Sequence, residues 1–180
     1  MLALVAANRR SNDRNGEGSR LDETNLLLLS ELQLDARLSL AELGRRVGLS
    51  SPAVAERIAR LEQEQVIRGY HAELDPRALG LALSAVIRVK PGPRQLHQVG
   101  ELSKKTPEVV DCRRITGDDC YIMTVHVRSV EHLEEVIDPF AAHGQTTTSI
   151  IQSAPVPTRG IDLNSATDLS RTWNTSAEGS

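Results

Sequence analysis

Hydrophobic and polar residues follow two different periods along this chain, and the change falls near Asp75-Pro76. Before that point apolar residues recur every three or four positions, which is the spacing of one face of a helix. After it, segments in which apolar and polar residues alternate are separated by further helical patterns, as expected for half-buried strands. The sequence therefore predicts an α+β protein with a helical N-terminal part and a C-terminal part of strands and helices.

The N-terminal part carries three helix patterns with recognisable ends. Asp22 is placed to cap the first helix, and Ser39-Leu40-Ala41-Glu42 is a capping box that starts the second. Gly48 suits the left-handed residue that ends this second helix, after which Ser50 or Ser51 can cap the third. The apolar positions are Leu26, Leu28, Leu29 and Leu32 in the first helix, Leu40, Leu43 and Val47 in the second, and Val54, Ile58 and Leu61 in the third.

A short strand is predicted next, at Val66–Tyr70, and the C-terminal part then mixes strands with helices. Strand patterns begin near Leu83, Val109, Tyr121 and Thr146, with helix stripes at Leu96, Val99 and Leu102 and at Leu133, Val136, Ile137 and Phe140. The resulting order β-α-β-β-α-β is that of the ferredoxin-like fold. Its helices cover only one face of the sheet, and pairing with a second copy is the simplest way to cover the other.

The composition excludes several classes of protein. Only 2% of the 180 residues are aromatic, too few for the stacking platforms that bind single-stranded nucleic acid. No run approaches the roughly 18 apolar residues of a membrane span. Leu2–Ala7 makes a poor signal peptide, so a cytoplasmic protein is expected. Cys112 and Cys120 are too few for a disulfide framework and are expected as reduced thiols, with a bridge between them across a hairpin as the alternative.

The segment from Ser39 to Arg60 has the organisation of a helix-turn-helix, whose second helix enters the major groove of DNA with its N-terminal residues at the base edges. The chain has a net charge of −3, yet residues 45–60 hold four arginines and a single acid, a local charge of +3. A small helical bundle with solvated arginines is the alternative. The candidate DNA contacts are Arg45, Arg46, Ser50, Ser51, Ala53, Val54, Arg57 and Arg60.

A second constellation lies at the turn between the two central strands and at the start of the last strand. The turn offers carboxylates and backbone N–H groups, and the last strand offers hydroxyls, which together suit a zwitterion such as an amino acid. Ordinary hairpin chemistry is the alternative, because Gly-Asp-Asp is a common turn and threonine suits strands. The candidate effector contacts are Gly117, Asp118, Asp119, Cys120, Tyr121, Thr146, Thr148 and Ser149.

Segments typical of one known family recur along both parts of the chain. They are Leu21-Asp22, Leu38–Ser50, Arg57–Glu62, Val66–Tyr70, Leu74-Asp75-Pro76, Leu79-Gly80, Pro107–Val110, Thr116-Gly117-Asp118 and Thr148–Ile151. Together they resemble the Lrp/AsnC, or feast/famine, family of bacterial and archaeal transcription regulators, over about residues 21–155 and in the family's order. The run Thr146–Pro157 is most similar to actinobacterial members, including regulators of the alanine dehydrogenase gene.

The resemblance implies a winged helix-turn-helix that binds promoter DNA, a hinge, and an effector domain known as RAM. Family members form dimers that commonly close into octamers, and amino acids bind where two dimers meet. The effector contacts at Thr146, Thr148 and Ser149 would then come from a neighbouring subunit. The expected boundaries are a disordered tail at 1–20, the winged helix-turn-helix at 21–74, the hinge at 75–81, the RAM domain at 82–157 and a flexible tail at 158–180.

Two positions depart from the family pattern. Gln65 stands where the family usually has glycine, so its backbone would be strained if it were left-handed. The hairpin reads Gly117-Asp118-Asp119-Cys120-Tyr121, whereas the family often has a second aspartate at the position of Cys120. Neighbouring strand residues face opposite ways, so Asp119 is not an automatic substitute.

These observations predict a non-enzymatic DNA-binding regulator of amino-acid metabolism, without a cofactor or metal and with a small amino acid as its effector. Two alternatives remain open from the sequence. One is a DNA-architectural protein without a ligand. The other is an enzyme similar to the siroheme decarboxylases, which share the two-domain fold and act on a large tetrapyrrole.

Overall fold

The structure, a computed structural model, describes residues 21–163, which form two compact units. Residues 21–71 and 158–163 make up the helical unit, and Ala72–Pro157 make up the sheet unit. The predicted tail at 1–20, and residues 164–180 of the predicted C-terminal tail, lie outside the described residues. Among the described residues, no helix has the length and apolar character needed to cross a membrane.

Three helices build the helical unit: α1 at Glu23–Leu34, α2 at Leu40–Val47 and α3 at Ser51–Gln63. A short polar side chain caps each of them by accepting the backbone N–H of the third helical residue, which satisfies one of the donors left unpaired at a helix start. The caps are those that the sequence predicts, Asp22, Ser39 and Ser50, with hydrogen bonds of 2.7, 3.2 and 3.4 Å.

The three helices meet around a small apolar core. Leu28, Val54 and Leu43 contribute one side chain from each helix and are 0–1% exposed. Burial of such a side chain stabilises the fold by about 2 kcal/mol, so this cluster is a main support of the helical unit. Half-buried side chains surround it, namely Leu32, Leu38, Val47, Leu49 and Ile58.

The turn between α2 and α3 depends on two glycines. Gly48 ends α2 with a φ of 74°, the left-handed conformation that the sequence predicts for it. Gly44 is buried one turn earlier, where a Cβ would overlap the carbonyl oxygen of Leu49. The N–H of Leu49 donates to the carbonyl of Gly44 at 2.9 Å, so the absent side chain is what allows the two helices to approach this closely.

The segment that follows α3 is held by α3 and forms no strand. The N–H groups of Val66 and Ile67 both donate to the carbonyl of Leu61, at 2.9 and 3.0 Å, and the Tyr70 hydroxyl donates to Glu62 at 2.9 Å. The pKa of Tyr70 is raised to about 12, mainly by burial and in second place by this hydrogen bond to Glu62. The predicted strand at Val66–Tyr70 is therefore wrong for the described chain, because no neighbouring strand pairs with it.

The sheet unit has the predicted order β-α-β-β-α-β. After a short 3₁₀ turn at Arg77–Leu79, its elements are β1 at Leu83–Pro91, α4 at Leu96–Lys105, β2 at Val109–Arg114, β3 at Tyr121–Val127, α5 at Val130–Ala141 and β4 at Gly144–Ile150. All strand pairs are antiparallel, and the strand order across the sheet is β2-β3-β1-β4. This confirms the ferredoxin-like arrangement.

Alternation along the strands divides the sheet into two different faces. One face packs against α4 and α5, and its core includes Ala85, Ile87, Val89, Val99, Met123, Val125, Val127, Leu133, Val136 and Phe140. On the opposite face, here called the open face, β1 presents Ser84, Val86, Arg88 and Lys90. No helix of the described residues covers the open face, so its polar and half-buried residues remain available to a ligand or a second copy.

Gln65, which stands where the family usually has glycine, has a left-handed backbone with a φ of 58°, so the condition for strain at this position is met. We expect Gln65→Gly to raise the free energy of unfolding by about 1 kcal/mol, because glycine adopts this conformation without the Cβ penalty. Loss of the hydrogen bond from the Gln65 amide to the Glu62 carbonyl will offset a part of the gain. Thermal unfolding measures the effect, and Ala59→Gly, an exposed position inside α3, should instead destabilise the protein.

Candidate nucleic-acid interface and effector site

The N-terminus of α3 is accessible, as reading the major groove requires. Ser50, Ser51 and Ala53 surround the first turn and are exposed or half-buried, and Arg60 projects from the exposed side two turns later. Val54 lies between them in sequence but is 0% exposed in the core. The prediction of Val54 as a DNA contact is therefore wrong, because the rotation of α3 turns this side chain towards α1 and α2.

Arg57 also points away from the expected DNA surface. Its Nη1 donates to the Asp22 carboxylate at 2.6 Å and to the Asn25 side-chain oxygen at 2.9 Å, and its side chain is about one-third exposed. The guanidinium thus joins α3 to the cap of α1. The prediction that Arg57 faces DNA is corrected to a structural role in this free form, since both acceptors belong to the protein itself.

Arg45 and Arg46 lie at the end of α2, beside the turn, and share one carboxylate. Glu42 accepts hydrogen bonds from Arg45 at 2.6 and 2.9 Å and from Arg46 at 2.7 Å, and Arg46 also contacts Glu31 at 2.6 Å. The two arginine hydrogen bonds lower the pKa of Glu42 to about 2. The predicted capping box is therefore half formed, because the N–H of Glu42 bonds to Ser39 while its carboxylate binds the arginines.

The second candidate site centres on the hairpin between β2 and β3. Gly117 makes the turn with a φ of 111°, and the backbone of Cys120 bonds to Ile115 at 2.9 Å and to Val89 at 3.0 Å. Asp118 is exposed, whereas Asp119 lies 3.7 Å from the guanidinium of Arg88 on the open face. The two aspartates of the hairpin therefore have different surroundings.

Tyr121 belongs to the helix-covered side of the sheet. It packs against the core there, and its hydroxyl donates to the carbonyl of Leu96 at 3.0 Å, next to Gly100 of α4. The prediction of Tyr121 as an effector contact is wrong for the described chain, because the hydroxyl is used to fix the start of α4.

The hydroxyl residues of β4 lie on two faces. Thr146 and Thr148 pair with Val89 and Ile87 and share the helix-covered face, while Ser149 pairs with Val86 on the open face. Thr146 is in the same row as Tyr121, at the hairpin end of the sheet, whereas Ser149 is three rows further along. The described chain therefore does not bring Thr146, Thr148 and Ser149 together on one surface, as the prediction required.

The open face brings Asp119, a predicted effector contact, together with two polar residues that the sequence did not single out, Arg88 and Thr147. Thr147 pairs directly with Arg88 on the neighbouring strand, and the Arg88–Asp119 ion pair adds a carboxylate beside them. This places a guanidinium, a carboxylate and a hydroxyl at the hairpin end of the open face. Alternation along β1 indicates which side Arg88 occupies, but its neighbours follow only from the strand register.

Three histidines of the sheet unit each contact one polar side chain. His126 contacts the Ser84 hydroxyl at 2.8 Å, His132 contacts Glu108 at 3.1 Å and His143 contacts Gln95 at 2.9 Å. Cys112 and Cys120 are both free thiols. Within residues 21–163, no group of three or more histidine, cysteine, aspartate or glutamate side chains has the geometry to hold a metal ion.

Two family models match the chain, one for each unit. The model of the AsnC-type helix-turn-helix domain matches residues 21–62, which span α1 to α3. The model of the Lrp/AsnC ligand binding domain matches residues 84–161, which include the sheet except for the first residue of β1.

Relatives and solved structures agree with these matches. The HTH-type transcriptional regulator YezC of Bacillus subtilis is 39% identical over 134 residues, covering 74% of this chain and 95% of YezC. The structure of LrpC of B. subtilis has a TM-score of 0.73 at 33% identity, covering 77% of this chain and 99% of LrpC. A transcriptional regulator of Neisseria meningitidis, solved as an L-Met complex, has a TM-score of 0.75 at 28% identity, covering 81% and 99%. The chain thus belongs to the Lrp/AsnC family of transcriptional regulators, with an AsnC-type helix-turn-helix followed by an Lrp/AsnC ligand binding domain.

Proposed function

We propose that this protein regulates genes of amino-acid metabolism in the cytoplasm by binding double-stranded promoter DNA under the control of a small amino acid. The observation that carries the proposal is the accessible N-terminus of α3, where Ser50, Ser51 and Ala53 leave room for the edges of base pairs. Its named relatives are transcriptional regulators, and we propose that this chain is likewise a regulator and not an enzyme.

The arginines around this helix supply the contacts to the DNA backbone. Arg60 follows the reading residues on α3, while Arg45 and Arg46 flank the turn before it. In the free protein the Glu42 carboxylate accepts hydrogen bonds from both Arg45 and Arg46, as a DNA phosphate would in the complex. DNA binding would exchange this carboxylate for phosphate oxygens, which the planar arginine fork binds in the same way.

The effector is proposed to bind the sheet unit at the hairpin end of the open face. Arg88 suits the carboxylate of an amino acid, Asp119 suits its ammonium group and Thr147 offers a further hydrogen bond. The solved relative with bound L-Met supports an amino acid as the class of ligand. The contacts proposed here leave out Tyr121, whose hydroxyl is already used, and Asp118, whose exposed carboxylate is not paired with Arg88. Gly117, Cys120, Thr146, Thr148 and Ser149 would contribute only where a neighbouring subunit completes the site.

Control of DNA binding is proposed to follow from a shift between assemblies of the protein. The open face favours pairing with a second copy, and dimers closing into a higher oligomer, up to an octamer, would place several α3 helices along one DNA. An amino acid that binds one assembly more tightly shifts the population towards it. The coupling free energy between the effector site and the DNA-binding site that such control needs is about 1–3 kcal/mol.

Arg57 and Arg60 should separate folding from DNA binding. We expect Arg57→Ala to lower the free energy of unfolding by about 1 kcal/mol, because it leaves Asp22 and Asn25 without their shared donor at a site that is only partly exposed. Arg60→Ala should leave stability within about 0.5 kcal/mol but weaken duplex binding and reduce its salt slope by about 1. Thermal unfolding and mobility-shift titrations on DNA selected from random duplexes measure both. Equal loss of salt slope in the two variants would contradict the structural role of Arg57.

Glu42 should limit the affinity for DNA. Glu42→Gln releases Arg45 from its carboxylate and leaves Arg46 with Glu31 alone, so we expect tighter duplex binding with a steeper salt dependence. Glu73→Gln changes the net charge equally at an exposed site beyond the helical unit. Because the folded-state pKa of Glu42 is lowered to about 2, its ion pairs stabilise the protein above pH 4.5 and are lost only as the pH falls towards 2. The affinity gain should accordingly stay constant from about pH 5 to 8. A gain no larger than that of Glu73→Gln would show that the arginines are not held back by Glu42.

The neighbouring aspartates of the hairpin provide a matched pair for the effector site. We expect at least one of the twenty amino acids to raise the melting temperature of the wild-type protein, by the equivalent of about 2.7 kcal/mol at 100 times its Kd. Asp119→Asn should reduce this stabilisation strongly, because it removes the partner of the ligand's ammonium group, and the exposed Asp118→Asn should reduce it little. Stabilisation by none of the amino acids would favour an architectural protein without a ligand.

A further inference from the structure

The segment Thr158–Leu163 leaves the sheet unit and returns to the helical unit, although the sequence predicts it as the beginning of a flexible tail. Its contact with α1 is specific. The N–H of Ile161 donates to Oε1 of Gln33 at 2.6 Å, and Nε2 of Gln33 donates to the carbonyl of Ile161 at 3.1 Å. One side-chain amide therefore binds both hydrogen-bonding groups of a single residue, as a neighbouring β-strand would.

Gly160 makes this approach sterically feasible. A Cβ on Gly160 would lie 2.6 Å from Oε1 and 2.8 Å from Cδ of Gln33, closer than nonbonded atoms approach in proteins. The side chain of Ile161, by contrast, is 74% exposed. The contact thus depends on the peptide backbone and on a missing side chain, and only weakly on the identity of the residue that is bound.

The contact between the Gln33 side chain and the Ile161 backbone is here called the clamp. An apolar groove of about 330 Å³ runs beside it. Leu26, Leu29 and Leu32 of α1 line one side, and the segment Val66–Tyr70 lines the other, with Ile161 and Leu163 at its edge. The leucine-rich sequence of α1 thus serves two surfaces, since Leu28 fills the core while its neighbours face the groove. The backbone of Val66–Tyr70, which lacks a strand partner among the described residues, borders the same groove.

We propose that α1 and Val66–Tyr70 form a peptide-docking groove whose ligand is the protein's own segment Thr158–Leu163, read through its backbone by Gln33 at Gly160-Ile161. The segment follows β4 by only seven residues and belongs, with α1 to α3, to the helical unit.

Two substitutions in the full-length chain test the clamp from its opposite sides. Gln33→Ala removes both hydrogen bonds, and Gly160→Val adds a side chain where Gln33 stands. Each should make amide exchange at Ile161 about tenfold faster and should also accelerate exchange within Val66–Tyr70. The double variant should show no further acceleration, because either change alone releases the segment. Ile161→Ala should behave nearly as wild type, since the backbone is what Gln33 binds.

A peptide supplied in trans tests whether the groove recognises this segment. An acetylated, amidated hexapeptide of sequence Thr-Arg-Gly-Ile-Asp-Leu, added in excess to the Gly160→Val protein, should restore slow exchange in Val66–Tyr70, and the same peptide with valine in place of glycine should not. Additive effects of the two substitutions, an Ile161→Ala protein that exchanges as fast as Gly160→Val, or equal action of the two peptides would each overturn the proposal.

Discussion

The rotation of α3 about its own axis is fixed by Val54 and Leu61, which are buried at helical spacing against the helical unit. A helix has 3.6 residues per turn, so the positions of these two side chains fix the direction in which every other side chain of α3 points. Ser50, Ser51 and Ala53 at the first turn stay accessible, and Arg60 points outwards. Arg57 falls at the boundary, where its long side chain reaches Asp22 and Asn25. The core of the helical unit thus determines which residues can read DNA.

An equivalent constraint organises the sheet unit. Ile87 and Val89 must face the helices, so Arg88 between them must face the other way. The register with β4 then places Thr147 opposite Arg88, and the turn brings Asp119 to the same place. Ligand chemistry at this end of the open face is therefore a consequence of how the opposite face is packed. A shift of one residue in register would exchange the two sets of side chains.

Local periodicity and capping chemistry predict the elements of this fold well, because both act within a few residues. The helix caps at Asp22, Ser39 and Ser50 and the order of the strands follow from the sequence directly. The errors arise where a side chain has a partner far away in the chain. The sequence around Arg57 does not indicate that Asp22 accepts its hydrogen bond. Likewise, the sequence around Tyr121 does not indicate that its hydroxyl donates to the carbonyl of Leu96. The alternation of side chains along a strand does indicate that Thr148 and Ser149 face opposite ways. The family resemblance nevertheless places both residues in one effector site. The strand predicted at Val66–Tyr70 has the right residues and lacks only a partner.

Charge compensation explains how a chain of net charge −3 can carry a DNA-binding surface without binding every polyanion. Arg45 and Arg46 are bound by Glu42 and Glu31 at hydrogen-bonding distance in the free protein, so DNA gains only the difference between a phosphate and a carboxylate at each of them. Nonspecific binding rests almost wholly on such backbone contacts and is weakened most by this competition. The proposed contacts to base edges from the tip of α3 do not compete with a carboxylate in this way. Under the proposed function, the acids of α1 and α2 therefore shift the free energy of binding from the DNA backbone towards the base sequence.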